Sequence, residues 1–138
     1  MLKPKANEVS MKVTKKTRLL AKLGPVINSV YSEGHEGEPN KLYDGINIHV
    51  TGSNLNKADR LQVHFYATNG EGHSFDFGEH MIVALEDSHW IYRGQWLYET
   101  MRATCEESGC VLDMSRGGQI ELIAPTGVLA FRGVTFDI

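Results

Sequence analysis

The sequence predicts an α+β domain, a mainly antiparallel sheet of about six or seven strands packed against one long helix at about residues 89–108. Three observations carry this expectation. Several segments alternate apolar and polar residues with a period of two, as a half-buried strand does. One long segment instead repeats its apolar residues at the helical period. The strand-like segments also cluster in runs, whereas a parallel α/β sheet would need strands and helices to alternate. The chain has 138 residues, 41% of them hydrophobic and 22% charged. That is one domain's length and an ordinary globular balance, which excludes a disordered, collagen-like or low-complexity chain. No internal repeat is visible.

Residues 1–9 read as a loose tail, and residues 10–138 as a single domain. Over 10–23 a short basic helix can form. Val13, Leu19, Leu20 and Leu23 share one face, Lys15, Arg18 and Lys22 share another, and Gly24-Pro25 supplies the stop. Residues 26–31 are short and rich in β-branched side chains, hence a strand. Residues 32–40, SEGHEGEPN, have the composition of a solvated, mobile loop. Residues 42–51 and 60–68 alternate strictly. Ile46, Ile48 and Val50 face one way, and so do Leu61, Val63 and Phe65; His49 and His64 fall on the opposite, wetter faces. The turn-like connection between these two segments predicts an antiparallel pair with His49 and His64 opposite or diagonal. Asn69-Gly70-Glu71-Gly72 is a further turn, followed by a strand at 73–77 that can run past Gly78 as a bulge into 81–85.

The long helix is read from Ser88 onward. Trp90, Ile91, Gly94, Leu97, Tyr98, Met101 and Cys105 lie within about 120° of arc. Asp87 or Ser88 can cap its start, and Gly109 can close its end. Tyr92, Trp96 and Ala103 lie away from the apolar stripe, beside the acidic positions Glu99, Glu106 and Glu107. Strands follow at 111–114, 119–124 and 128–138, the last two forming a hairpin across Pro125-Thr126-Gly127. The final strand could lie at a sheet edge and pair with a second copy, giving a homodimer.

Charge is unevenly distributed. Residues 1–25 hold seven basic residues against one acid, a net of +6, whereas the remainder holds seven bases against sixteen acids, a net of −9. Such a split points to a charged partner or to an arm lying on its own body. No apolar run approaches the ~18–20 residues that cross a bilayer, and the charged N-terminus lacks the apolar core of a secretory signal. Cys105 and Cys110 match neither a C-x-x-C redox motif nor a zinc knuckle, so they are expected to be reduced thiols in a cytoplasmic protein.

Chemistry is sparse by motif. No G-x-S-x-G elbow, P-loop or H-E-x-x-H signature occurs. The leading expectation is therefore a small binding protein without catalysis or cofactor of its own. It would act on a protein partner as an inhibitor or adaptor, through Tyr92, Trp96, Glu99, Ala103, Glu106 and Glu107. Tyr and Trp on a polar face are frequent anchors, and the carboxylates could present an acidic surface to a basic or nucleic-acid-handling protein. The alternative is a nucleic-acid-binding accessory protein. It would use Lys12, Lys15, Lys16, Arg18 and Lys22 within residues 3–22, although residues 1–30 hold no aromatic for base stacking. A third reading is a metalloenzyme built on His49, His64, His73 and His80.

Overall fold

The computed structural model describes residues 24–137. The expected tail over 1–9, the basic helix over 10–23 and the five basic residues Lys12, Lys15, Lys16, Arg18 and Lys22 lie outside the described residues. The architecture is α+β and mostly antiparallel, with nine strands in two sheets and one α-helix. In chain order the elements are β1 (Val26–Ser32), β2 (Lys41–Tyr43), β3 (Ile48–Ser53), β4 (Arg60–Tyr66), β5 (Gly72–Asp76), β6 (Ile82–Glu86), β7 (His89–Tyr92), α1 (Leu97–Glu107), β8 (Gly118–Ala124) and β9 (Gly127–Asp137). The four-stranded sheet runs β1-β3-β7-β6, and the five-stranded sheet runs β2-β9-β8-β4-β5. Every pairing is antiparallel except β2 with β9.

The alternation read from the sequence explains the core. Val30, Ile48, Val50, Trp90 and Tyr92 from one sheet meet Leu61, Val63, Phe65, Ile120 and Leu122 from the other in a single buried cluster. Phe77 and Tyr92 bring their ring centroids to 5.4 Å within it. Leu97, Met101 and Cys105, spaced by four residues on one face of α1, join the same cluster. The helix lies mainly against β5. Burying an aliphatic or aromatic side chain of this kind contributes about 1.5–3 kcal/mol, so this shared interior is the main force joining two sheets and a helix.

Two sheets replace the expected single sheet because the chain changes layers at three places: within one expected strand, at an expected hairpin turn and at an expected bulge. The segment 42–51 is split by Asp44-Gly45 into β2 of one sheet and β3 of the other. The short 3-10 turn Leu55–Lys57 then carries the chain from β3 to β4, so these two strands are not neighbours and His49 does not face His64. A second 3-10 turn, Glu79–Met81, separates β5 from β6, which also belong to different sheets; no single bulged strand joins them. Residues 111–114 form only an isolated bridge, Leu112 with Ala67.

The helix begins later than its apolar pattern suggested. His89–Tyr92 is a strand, hairpinned to β6 across Asp87-Ser88. Trp90 and Tyr92, two residues apart, both point into the core, a strand spacing that mimics part of a helical stripe when only Trp90 and Ile91 are counted. Gly94 sits on no helical face. A Cβ there would lie 1.8 Å from the Ile46 carbonyl oxygen, so the residue serves a close backbone approach between the strand and the helix. Asp87 and Ser88 do not cap α1. Asp87 accepts from the Asn56 amide, and the helix start is capped from a distance by Asp44, whose Oδ1 accepts from the Tyr98 amide at 2.9 Å. β9 lies between β8 and β2, so only its stretch before Thr135 has an edge without a strand partner among the described residues.

Candidate functional site

The residues expected to form a binding face divide. Tyr92 is fully buried in β7 and takes no part in any surface. Its hydroxyl finds no well-formed hydrogen bond among the described residues, and burial pushes the phenol up to about 12, with the Leu61 backbone offsetting part of that effect. Trp96, by contrast, is 59% exposed at the head of α1. Ala103, Glu99, Glu106 and Glu107 are exposed and follow it along the outer side of the helix, opposite Leu97, Met101 and Cys105. Arg102 pairs with both Glu99 and Glu106, so this stripe carries three carboxylates and one guanidinium.

Two features set Trp96 apart. Its backbone is in the left-handed region, with φ at 64°. This conformation costs a side-chain-bearing residue about 1–2 kcal/mol and is rare for bulky residues. Trp96 also lines a cleft of about 140 Å³, together with Phe75, Phe77, His80 and Met81. The side chain thus stands half outside the core beside a cleft, on a backbone conformation that favours glycine. A second apolar surface lies far along the chain, where Val26, Val128 and Phe131, all exposed, border a shallow groove of about 690 Å³.

The four histidines of the metal reading do not converge. His49 is buried in β3, with only 8% of its surface exposed. It stacks on Tyr31 with 4.9 Å between ring centroids, and lies between His89 and Glu33. His49 Nδ1 is 2.7 Å from His89 Nε2, and His49 Nε2 is 3.0 Å from Glu33 Oε1. The chain is satisfied when His49 Nε2–H donates to the carboxylate and His89 Nε2–H donates to His49 Nδ1. Accepting from His49 holds the Glu33 carboxyl below its ordinary value. His64 and His73 occupy adjacent strands, yet they fall on opposite faces. His64 pairs with Ser74 and packs edge-on to Tyr66, whereas His73 pairs with Phe65 on the inward side. His80 is exposed on the 3-10 turn between the sheets.

Sequence reasoning missed a different grouping. His73 lies beside the two cysteines, with one ligand atom from each of His73, Cys105 and Cys110 within 4.8 Å of the others. Cys110 Sγ is 3.3 Å from His73 Nε2 and 3.1 Å from the Cys105 carbonyl oxygen. The helix terminus creates this arrangement. Gly109 has φ at 72°, its amide donates to Glu106 O at 2.9 Å, and the Cys110 amide donates to Cys105 O at 3.0 Å. These are the two bonds of a Schellman motif, which folds the residue after the glycine back over the last turn. The legible signal was the glycine: once Gly109 is read as the left-handed terminus, the motif sets Cys105 and Cys110 side by side.

The expected mobile loop over 32–40 is cross-braced. Glu38 accepts from His35 Nδ1 at 2.8 Å, from the Tyr43 hydroxyl at 2.8 Å and from Lys41 Nζ at 3.4 Å. These contacts, His35 foremost, hold the Glu38 carboxyl below its ordinary value. Among the described residues, no helix is long and apolar enough to cross a membrane. A comparison of the chain with protein-family models and with curated proteins found no match.

Proposed function

We propose that this protein acts by binding a macromolecular partner through the outer side of α1, as an inhibitor or adaptor, and that Trp96 is the anchor of that contact. The observation that carries the reading is the exposed indole in a left-handed backbone conformation beside an apolar cleft. Binding surfaces concentrate their energy in a few aromatic anchors ringed by polar residues, which is the composition of this stripe. Glu107 and the Arg102-bridged pair Glu99 and Glu106 give the rim a net negative charge, on a body that is itself strongly acidic. Electrostatic complementarity then favours a basic partner, such as a protein that handles nucleic acid.

The test pairs capture with salt and substitution. Trp96→Ala should weaken association with a basic partner by about 30-fold or more, the loss expected of an anchor worth at least ~2 kcal/mol. Glu106→Gln with Glu107→Gln should slow association and flatten its salt dependence. A partner that binds Trp96→Ala as it binds the parent chain, with unchanged affinity in high salt, would refute this assignment of the surface. The nucleic-acid reading rests on residues 3–22, outside the described residues, and no described feature adds to it.

A further inference from the structure

We propose that His73, Cys105 and Cys110 form a zinc site that clamps the C-terminal end of α1 to strand β5. The three side chains come from two separate elements and converge: ligand atoms within 4.8 Å of one another, with a 3.3 Å approach between Cys110 Sγ and His73 Nε2. Tetrahedral zinc, with bonds of ~2.3 Å to sulfur and ~2.0–2.1 Å to nitrogen, places two sulfurs about 3.8 Å apart and sulfur and nitrogen about 3.5 Å apart. The observed grouping therefore needs side-chain shifts of no more than about 1 Å to close on an ion. Two thiolates and one imidazole are soft and borderline ligands, the set that selects zinc over magnesium or calcium.

The backbone pre-forms half of the site. The Schellman bonds at Gly109 hold Cys110 against Cys105 without any ion, so the entropy of bringing these two ligands together is already met by the fold. A hydrophobic contact between the same two positions commonly accompanies such a terminus, which would account for two cysteines meeting there. It does not account for the imidazole delivered from β5, whose Nε2 is aimed at sulfur. Three protein ligands leave a fourth position, which falls to water. On loading, each thiol gives its proton to solvent and binds as thiolate.

The full-length, untagged protein is reduced, stripped with a chelator and titrated first with cobalt(II) and then with zinc. One equivalent of cobalt should bind with thiolate-to-metal charge-transfer absorption and tetrahedral ligand-field bands. Zinc should bleach both and raise the thermal unfolding midpoint. Cys105 is fully buried, so substitution rests on the two less buried ligands: Cys110→Ser and His73→Gln should each weaken zinc by more than about 100-fold, the upper end of what losing an outer partner of a ligand costs. Reduced protein that takes up no cobalt, or that binds it without thiolate bands, overturns the proposal. So does a folded Cys110→Ser and His73→Gln pair that binds zinc as the parent does.

Discussion

Replacing Trp96 by alanine and by glycine should invert the usual order of helix propensities. In a helix interior glycine is about 1 kcal/mol worse than alanine. At position 96 the backbone has φ at 64°, where glycine alone is free of the Cβ penalty of about 1–2 kcal/mol. Trp96 is 59% exposed, so it withdraws about two-fifths of its surface from water, roughly 100 Å² of an indole's ~250 Å². At ~25 cal/mol per Å² that burial is worth at most about 2.5 kcal/mol, which both substitutions forfeit. Trp96→Ala should thus lose up to about 2.5 kcal/mol. Trp96→Gly should recover about 1 kcal/mol of it, a difference of roughly 4 °C in midpoint for a domain of this size. Urea and thermal unfolding of the two variants measure the order directly. An alanine variant as stable as the glycine variant, or more so, would show that the residue is not held left-handed. The strain argument for its role would then fail with it.

Tyr92→Phe should leave stability unchanged or raise it by up to about 1 kcal/mol, because it removes a buried hydroxyl that lacks a well-formed partner; chemical denaturation reads the change. Gly94→Ala should destabilise by at least about 3 kcal/mol or prevent accumulation of folded protein, since the added carbon meets the Ile46 carbonyl at 1.8 Å; expression yield and far-UV circular dichroism test it. Acid should weaken the fold through Glu33 and Glu38. Their folded-state values lie below the ordinary glutamate value of 4.5, so their contribution is present above that value and is lost as pH falls through the lower, folded one. Unfolding midpoints should therefore drop below about pH 4.5, and Glu33→Gln with Glu38→Gln should flatten the drop.

The class of the fold, and most of its strands, could be read from alternation alone, because Ile48, Val50, Leu61, Val63 and Phe65 obey a period of two that burial enforces. The number of sheets could not. Alternation says which side of a strand is apolar, but not which of two facing sheets it joins, and Asp44-Gly45 or Glu79–Met81 look like ordinary turns until the chain is seen to change layers there. The start of the helix was obscured because Trp90 and Ile91 fit a helical stripe by coincidence, although Trp90 and Tyr92 also have the two-residue spacing of a buried strand face. The exposed side of α1 was legible from the wheel. The meeting of His73 with two cysteines was not, because it depends on β5 passing beneath a helix terminus more than thirty residues later in the chain.

The parallel ladder between β2 and β9 sets the order in which the domain can assemble. Lys41 pairs with Thr135 and Tyr43 with Asp137, and β2 has no other strand partner among the described residues. β4 can pair at once with β5, but its other edge waits for β8, with Leu61 opposite Leu122. Such distant pairings slow the search for the native state, and this domain should fold in roughly milliseconds to seconds rather than microseconds. On a ribosome, β2 would stay without its strand neighbour until the ninth strand had emerged, so the second layer could close only then.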